Sequence, residues 1–304
     1  MRVLFRFDAS DALARKAEAL SGDGIEVQCC PESEDATYER LLPEADVLWH
    51  VLKIVTQDHI GRAPKLKLIQ KIGSGVNTID LEAAKRRGIA VCNLPGTNSR
   101  AVAEMTLALM LACLRRLPEL HQAAKSGNWL AAGRLQDHFG ELGGRSVGFV
   151  GYGAVPRILA PILTAMGAKV RYWSRTERDT ELAALIATCD IVSLHLPLTA
   201  ETQGIFDVRK MKPGSILVNT ARGGLVNEAS LVEALKSGRL SAAGLDVFAE
   251  EPPPPGHPLL ALPNVVCAPH LAWLTQETLE RSLAAALENV RRLESGKSLL
   301  HRVA

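Results

Sequence analysis

The sequence predicts an α/β protein of two domains, one of them a doubly wound parallel sheet. Three observations predict it. Short apolar, β-branched runs alternate with helical patterns along almost the whole chain, the signature of parallel strands joined by helical crossovers. A glycine turn, Gly151-Tyr152-Gly153, stands between one such run and the helical pattern after it, the context that gives a glycine-rich turn meaning. A chain of 304 residues that is 47% hydrophobic and 22% charged is long enough for two cores.

From residue 1 to about 95, runs at Val3–Phe7, Ile25–Cys29, Val47–Val51, Leu68–Ile72 and Ile89–Asn93 alternate with helical patterns such as Ala12–Leu20 and Leu81–Arg87, which reads as one small α/β domain. Asn98–Arg116 is then a long apolar helix that could bridge the domains, with Thr97, Asn98 and Ser99 as cap candidates and a stop before Pro118. The second alternation runs through Ser146–Val150, Val170–Trp173, Ile191–Leu194, Ile216–Asn219, Ala243–Val247 and Val265–Ala268, six parallel strands of a doubly wound sheet. A last helix is expected over Ala272–Leu293, where Leu279, Leu283, Leu287 and Val290 stand at helical spacing. Pro252–Pro255 reads as a stiff polyproline loop.

Bulk properties narrow the function classes. A formal net charge of +2 and the lack of a basic, aromatic-interleaved cluster argue against a nucleic-acid partner and for a small-molecule ligand. Six cysteines without a C-x-x-C pair, four of them (Cys92, Cys113, Cys189, Cys267) in apolar runs, read as buried free thiols. Vicinal Cys29 and Cys30 read as strand-end thiols. The start of the chain does not resemble a signal peptide and no apolar stretch is long enough to span a bilayer, so a cytoplasmic, non-membrane protein is expected. His50, His59, His121, His138, His195, His257 and His301 show no metal-ligand spacing, and no metal is expected.

Three late segments each end an apolar run near a residue that can do chemistry: Ile216-Leu217-Val218-Asn219-Thr220-Ala221-Arg222, Ala243-Gly244-Leu245-Asp246-Val247-Phe248 running on to Glu251, and Val265-Val266-Cys267-Ala268-Pro269-His270. Positions just past buried parallel strands are where open α/β sheets form ligand crevices. A guanidinium suits a planar carboxylate, an imidazolium can give up a proton near neutral pH, and a carboxylate can hold the imidazole charged. Together they are a toolkit for reducing a keto acid. Each also has a plainer reading, as a structural histidine, a solvated carboxylate in a proline loop beside Glu250, or a sheet-edge arginine.

In the glycine turn, Gly151 permits the tight bend and Gly153 the approach of a pyrophosphate to the helix N-terminus, where Ala154 and Val155 follow. Pro156 replaces the third glycine of G-x-G-x-x-G. In the first turn its missing N–H costs little, whereas Pro161 should kink the helix. Strand two ends at Trp173-Ser174-Arg175, about twenty residues beyond the glycines, where an NAD enzyme presents a carboxylate to the ribose. Serine can donate to a 2′-phosphate and Arg175 can pair with it, so NADP(H) is expected, with NAD(H) as the alternative. An ordinary polar loop with a solvated arginine is the competing reading.

Taken in order, GSGVNTIDLEAAKRRGIAV near residue 73, NSRAVAEMTLALML near 98, VGFVGYGAV near 147, VNTARGGLVNE near 218, AGLDVFAEEP near 243 and APHLAW near 268 resemble the D-isomer-specific 2-hydroxyacid dehydrogenase family over nearly the whole chain. The resemblance implies a smaller flavodoxin-like substrate domain of residues 1–96 and 275–304, split around a Rossmann-type dinucleotide domain of residues 97–274. It also implies an active site in the cleft between them. His270 would be the proton donor to the carbonyl oxygen, Glu251 its partner, and Arg222 the anchor of the substrate's carbonyl and carboxylate. Ser74, Gly75 and Val76 resemble the loop whose N–H groups hold the carboxylate, and Leu52 with Lys53 would line the pocket at the substrate tail. Asp246 would meet the nicotinamide carboxamide, with Thr220, Ala221, Pro197 and Thr202 as further cofactor contacts. His195 is read either as a contact of the dinucleotide or as a packed structural residue. An arginine after strand two together with a His-x-Ala-Trp segment resembles the NADPH-linked glyoxylate and hydroxypyruvate reductases. The alternatives are an NAD-linked phosphoglycerate or D-lactate type dehydrogenase and a dinucleotide-sensing corepressor-like binding protein. A chain ending at Ala304 is expected to lack the first's regulatory domain, and no disordered extension favours the second. A homodimer is expected, with the Val102–Leu114 helix and the segment near Leu117–Trp129 as interface, although packing within the domain would satisfy the same apolarity.

Overall fold

The computed structural model describes residues 1–304, except the side chains of residues 130–132 and 134–135. The chain divides into two units, Met1–Asn98 with Thr275–Ala304, and Ser99–Leu274. The first join thus falls two residues after the expected one.

In the first unit β1 (Arg2–Arg6), β2 (Glu26–Cys30), β3 (Val47–His50), β4 (Leu68–Lys71) and β5 (Ala90–Cys92) form a sheet of order β2-β1-β3-β4-β5. All its pairings are parallel. Leu4, Leu48, Ile69 and Val91 point to one face and share a buried cluster with Tyr38, Leu42 and Ile60, as the period-two pattern of a covered sheet requires. The last helix runs over Gln276–Glu294 and is capped by Thr275, whose hydroxyl accepts from the N–H of Thr278. It starts later than the apolar pattern suggests because a cap hydroxyl, not hydrophobicity, sets a helix start. Buried Asn289 donates to Gln70 Oε1 at 2.7 Å and ties this helix to β4.

The second unit holds β6 (Ser146–Val150), β7 (Lys169–Trp173), β8 (Ile191–Leu194), β9 (Ser215–Asn219), β10 (Leu240–Leu245) and β11 (Val265–Cys267), in the order β11-β10-β9-β8-β6-β7. Every pairing is again parallel. Both faces are covered: Phe149, Ile216 and Val218 lie in one buried cluster, Val150, Val192 and Leu217 in the other. The chain leaves β6 to one side for β7 and returns on the other for β8, so the topological switch point lies between β6 and β8, where such sheets bind their ligands. The long apolar helix, Ser99–Arg115, belongs wholly to this unit. Its Leu109, Met110 and Cys113 join the core against Phe149 and Val218, so the domain's own packing uses the apolar face that was also a candidate for dimerisation. The cysteines are free, and Cys267 is exposed rather than buried, because β11 is an edge strand.

Candidate active site

His270 follows β11 with φ +56°, a left-handed conformation that costs a side-chain-bearing residue about 1–2 kcal/mol. Asp246, just past β10, holds it there. The Asp246 carbonyl accepts from His270 N at 2.8 Å, and its carboxylate accepts from Leu271 N at 2.9 Å and Ala272 N at 3.0 Å. Burial pushes the Asp246 carboxyl up to about 6, against the lowering pull of those N–H groups. Its carboxylate thus serves the His270 turn, a different employment from the expected carboxamide contact.

The imidazole Nδ1 of His270 lies 2.6 Å from Glu251 Oε2, and Glu251 Oε1 accepts from Phe248 N at 2.9 Å. An ionised carboxylate only accepts, so Nδ1 carries the hydrogen and Nε2 is left to exchange a proton. Burial works to raise the Glu251 carboxyl, but the bond and charge of His270, with Phe248 N and Arg222, hold it below the ordinary range. Arg222 joins the group: burial lowers its pKa and the Glu251 charge opposes that. The arginine's turn is braced by Asn219, which donates to the Arg222 carbonyl at 2.9 Å and accepts from Ala221 N at 3.0 Å. Gly223 then seats against the other loop, for a Cβ there would stand 1.9 Å from the carbonyl carbon of Phe248. The structure therefore brings Arg222, Glu251 and His270 together from the carboxyl ends of β9, β10 and β11. Asn219 and Gly223 lie within the VNTARGG run, but sequence reasoning gave them no role.

At the switch point Gly151 has φ +96°, and a Cβ on it would stand 2.5 Å from the His195 carbonyl oxygen. Gly153 caps the helix Ala154–Ala165, and a Cβ on it would enter open space. Open space over a helix N-terminus with Ala154 and Val155 in its first turn fits a dinucleotide pyrophosphate. Pro156 lies buried in that turn, and the helix continues through Pro161.

Other expected cofactor contacts are differently engaged. Ser174 Oγ donates to the Glu177 carbonyl at 2.6 Å and accepts from Glu177 N at 2.9 Å. Its single hydrogen is committed to a local turn, so the expected donation to a phosphate would require opening that turn. Arg175 is 81% exposed, with Glu201 at 3.5 Å. His195 packs edge-on to Phe149, shares a 2.9 Å hydrogen bond with Ser193, and is pushed by burial down to about 3. That favours the packed structural reading over an ionic contact. Thr220 lies 2.9 Å from Thr106 Oγ1, which gives its own hydrogen to the Val102 carbonyl. Thr220 is therefore the donor and is spent inside the unit. Thr202 Oγ1 donates to the Pro197 carbonyl at 2.6 Å and holds that loop.

In the first unit, the N–H groups of Leu52 and Lys53 both donate to Glu32 Oε1 at 2.9 Å, a brace without a sequence signal. The Ser74 carbonyl accepts from Asn93 Nδ2 at 2.8 Å. Among the described residues the N–H groups of Ser74, Gly75 and Val76 donate to no backbone carbonyl.

Residues 107–272 match the family described as D-isomer specific 2-hydroxyacid dehydrogenase, NAD binding domain. The chain belongs to the D-isomer-specific 2-hydroxyacid dehydrogenases. It is an oxidoreductase of the kind that uses a nicotinamide dinucleotide. The chain is 38% identical over 296 residues to a glyoxylate reductase of Aeropyrum pernix, covering 90% of this chain and 88% of that protein. It is 36% identical over 302 residues to a D-3-phosphoglycerate dehydrogenase of Mycobacterium leprae, covering 95% of this chain but only 56% of that longer protein. The crystal structure of the TT0316 protein from Thermus thermophilus superposes with a TM-score of 0.88 at 36% identity, covering both chains completely. No helix among the described residues is long and apolar enough to cross a membrane.

Proposed function

We propose that this dehydrogenase reduces a small 2-keto acid, glyoxylate or hydroxypyruvate, to the D-2-hydroxy acid with NADPH. The observation that carries the chemistry is the 2.6 Å Glu251–His270 pair beside Arg222. The bound dinucleotide supplies the hydride. His270 delivers a proton from Nε2 to the carbonyl oxygen, and Glu251 orients the ring through Nδ1 and stabilises its charged form before transfer. Arg222 grips the substrate's carboxylate and carbonyl and offsets the charge that develops on oxygen. In the first unit, the backbone N–H groups of Ser74, Gly75 and Val76, with Leu52, are proposed as substrate-binding elements. NADPH is favoured by the lack of a carboxylate at Ser174 and by the exposed Arg175, whose Glu201 partner a 2′-phosphate would displace. The likeness to the Aeropyrum glyoxylate reductase over nine-tenths of the chain supports the substrate class. A homodimer is proposed with it, since Leu117 and Trp129 expose large apolar side chains.

The test is a panel of 2-keto acids assayed with NADPH and NADH. Turnover of glyoxylate or hydroxypyruvate with a preference for NADPH is expected. Preference for NADH with phosphohydroxypyruvate would favour the phosphoglycerate type, and tight dinucleotide binding without turnover a sensor.

A further inference from the structure

The loop that carries Glu251 is closed at its neck by a carboxylate that the chemistry above does not use. Glu228 opens the helix Glu228–Lys236. Its Oε1 accepts from the N–H of Ala249 at 2.8 Å, and its Oε2 lies 3.2 Å from His257 Nε2. One side chain thus grips the loop where it leaves β10 and again where it ends. The pair is largely shielded, His257 at 13% and Glu228 at 20% side-chain exposure. The His257 ring also stands edge-on to Phe248, the residue whose N–H holds Glu251 Oε1. Between the two grip points lie Pro252, Pro253, Pro254 and Pro255, and a run of prolines has few ways to bend. Fixing the neck of so stiff a loop fixes the Glu251 carboxylate, which lies two residues past the first grip point. Gly223, seated against the Phe248 carbonyl carbon, brings the Arg222 turn to the same neck.

We propose that Glu228 and His257 are positioning residues, a clasp that sets Glu251 against His270. The proposal rests on the catalytic reading of Glu251 and His270 given above. A glutamate in a first helical turn is also favourable to the helix itself, but that role would involve neither Ala249 nor His257. A clasp acts only through Glu251, and a helix-end charge does not.

The experiment is a double-mutant cycle on keto-acid reduction with Glu228→Ala, Glu251→Gln and both together, with NADPH affinity measured by fluorescence titration. Misplacing a catalytic group by about 1 Å costs on the order of 10²-fold, so Glu228→Ala should lower kcat/KM by about that factor while the NADPH Kd stays within about twofold. It should also move the high-pH limb of the rate profile in the same direction as Glu251→Gln. In the Glu251→Gln background, Glu228→Ala should add little, since two changes acting through one group are not additive. Glu228→Gln should recover part of the activity, because its amide oxygen can still accept from Ala249, while its NH2 can meet His257 Nε2 only in the tautomer that puts a hydrogen on the buried, unpartnered Nδ1. Should Glu228→Ala fail to fold, His257→Gln enters the same cycle in its place. Full activity of the clasp variants, or losses that multiply with that of Glu251→Gln, would overturn the clasp. A fully active Glu251→Gln enzyme would instead overturn the site reading on which it rests.

Discussion

Replacing Glu251 by glutamine keeps the side chain's shape but removes one negative charge and turns one of its two acceptor oxygens into an NH2 donor, so it can no longer accept from both Phe248 N and His270 Nδ1. The contact concerned is short, 2.6 Å between Oε2 and His270 Nδ1. A hydrogen bond to a charged group is worth about 1.5–3 kcal/mol and a neutral one about 0.5–1.5, so the charge contributes about 1–1.5 kcal/mol. With side-chain exposures of 23% and 34%, solvent screening points to the lower end of that range. A factor of ten in rate corresponds to about 1.36 kcal/mol, so kcat/KM for keto-acid reduction should fall by about 5- to 10-fold, and the high-pH limb of the profile should move down. The sign follows from the role: reduction needs the protonated ring, and the lost carboxylate no longer favours it. The assay is kcat/KM for glyoxylate with NADPH across about pH 5 to 9, which reports the free enzyme's acid and base. A profile with an unmoved limb would refute the pairing as a source of catalysis, whatever happened to the absolute rate.

Arg175→Ala should weaken NADPH binding about 10- to 100-fold, the value of a charge-assisted contact, and leave NADH binding nearly unchanged; equal losses in parallel titrations would remove the case for NADP. His195 is held at about 3 against about 6.5 in an unfolded chain. The unfolded state therefore takes up the proton first, and the stability His195 confers is complete above about pH 6.5 and lost as pH falls toward 3, by up to about 1.4 kcal/mol per unit. Denaturant titrations at about pH 7 and 4.5 should show a smaller acid loss in His195→Gln than in the parent, and equal losses would contradict this. Gly223→Ala places a methyl 1.9 Å from backbone carbon that no rotamer change relieves, so a lowered Tm and lost activity are expected at an overpacking cost of about 1–3 kcal/mol or more. Parental Tm and kcat would show that the two loops are not so tightly joined.

How far the sequence carried each of these readings depended on how local the responsible physics is. The strands could be read because parallel strands buried on both faces must be continuous apolar runs; β3 and β8 start where expected. The sheet edge was not legible, so Cys267 reads as buried in sequence and is exposed in the fold. The start of the last helix was misplaced because apolar spacing continues through Trp273 while the cap at Thr275 decides. Hydroxyls gave the weakest inferences. Ser174 and Thr220 have the right chemistry for cofactor contacts, but each hydroxyl has one hydrogen, and nearby carbonyl or hydroxyl oxygens take it.

The sequence by itself determined that this is a two-unit α/β oxidoreductase of the D-2-hydroxyacid family, with a glycine turn for a dinucleotide and with Arg222, Glu251 and His270 as its candidate chemistry. Those conclusions follow from periodicities and from motifs, which are properties of neighbouring residues. Only the tertiary structure decided which partners these groups have. It set Glu251 rather than Glu250 on His270, made Asp246 the support of the His270 turn, and closed the Glu251 loop with Glu228 and His257. Each of these is a contact between segments 19 to 29 residues apart, and such contacts exist only once parallel strands bring their carboxyl ends side by side.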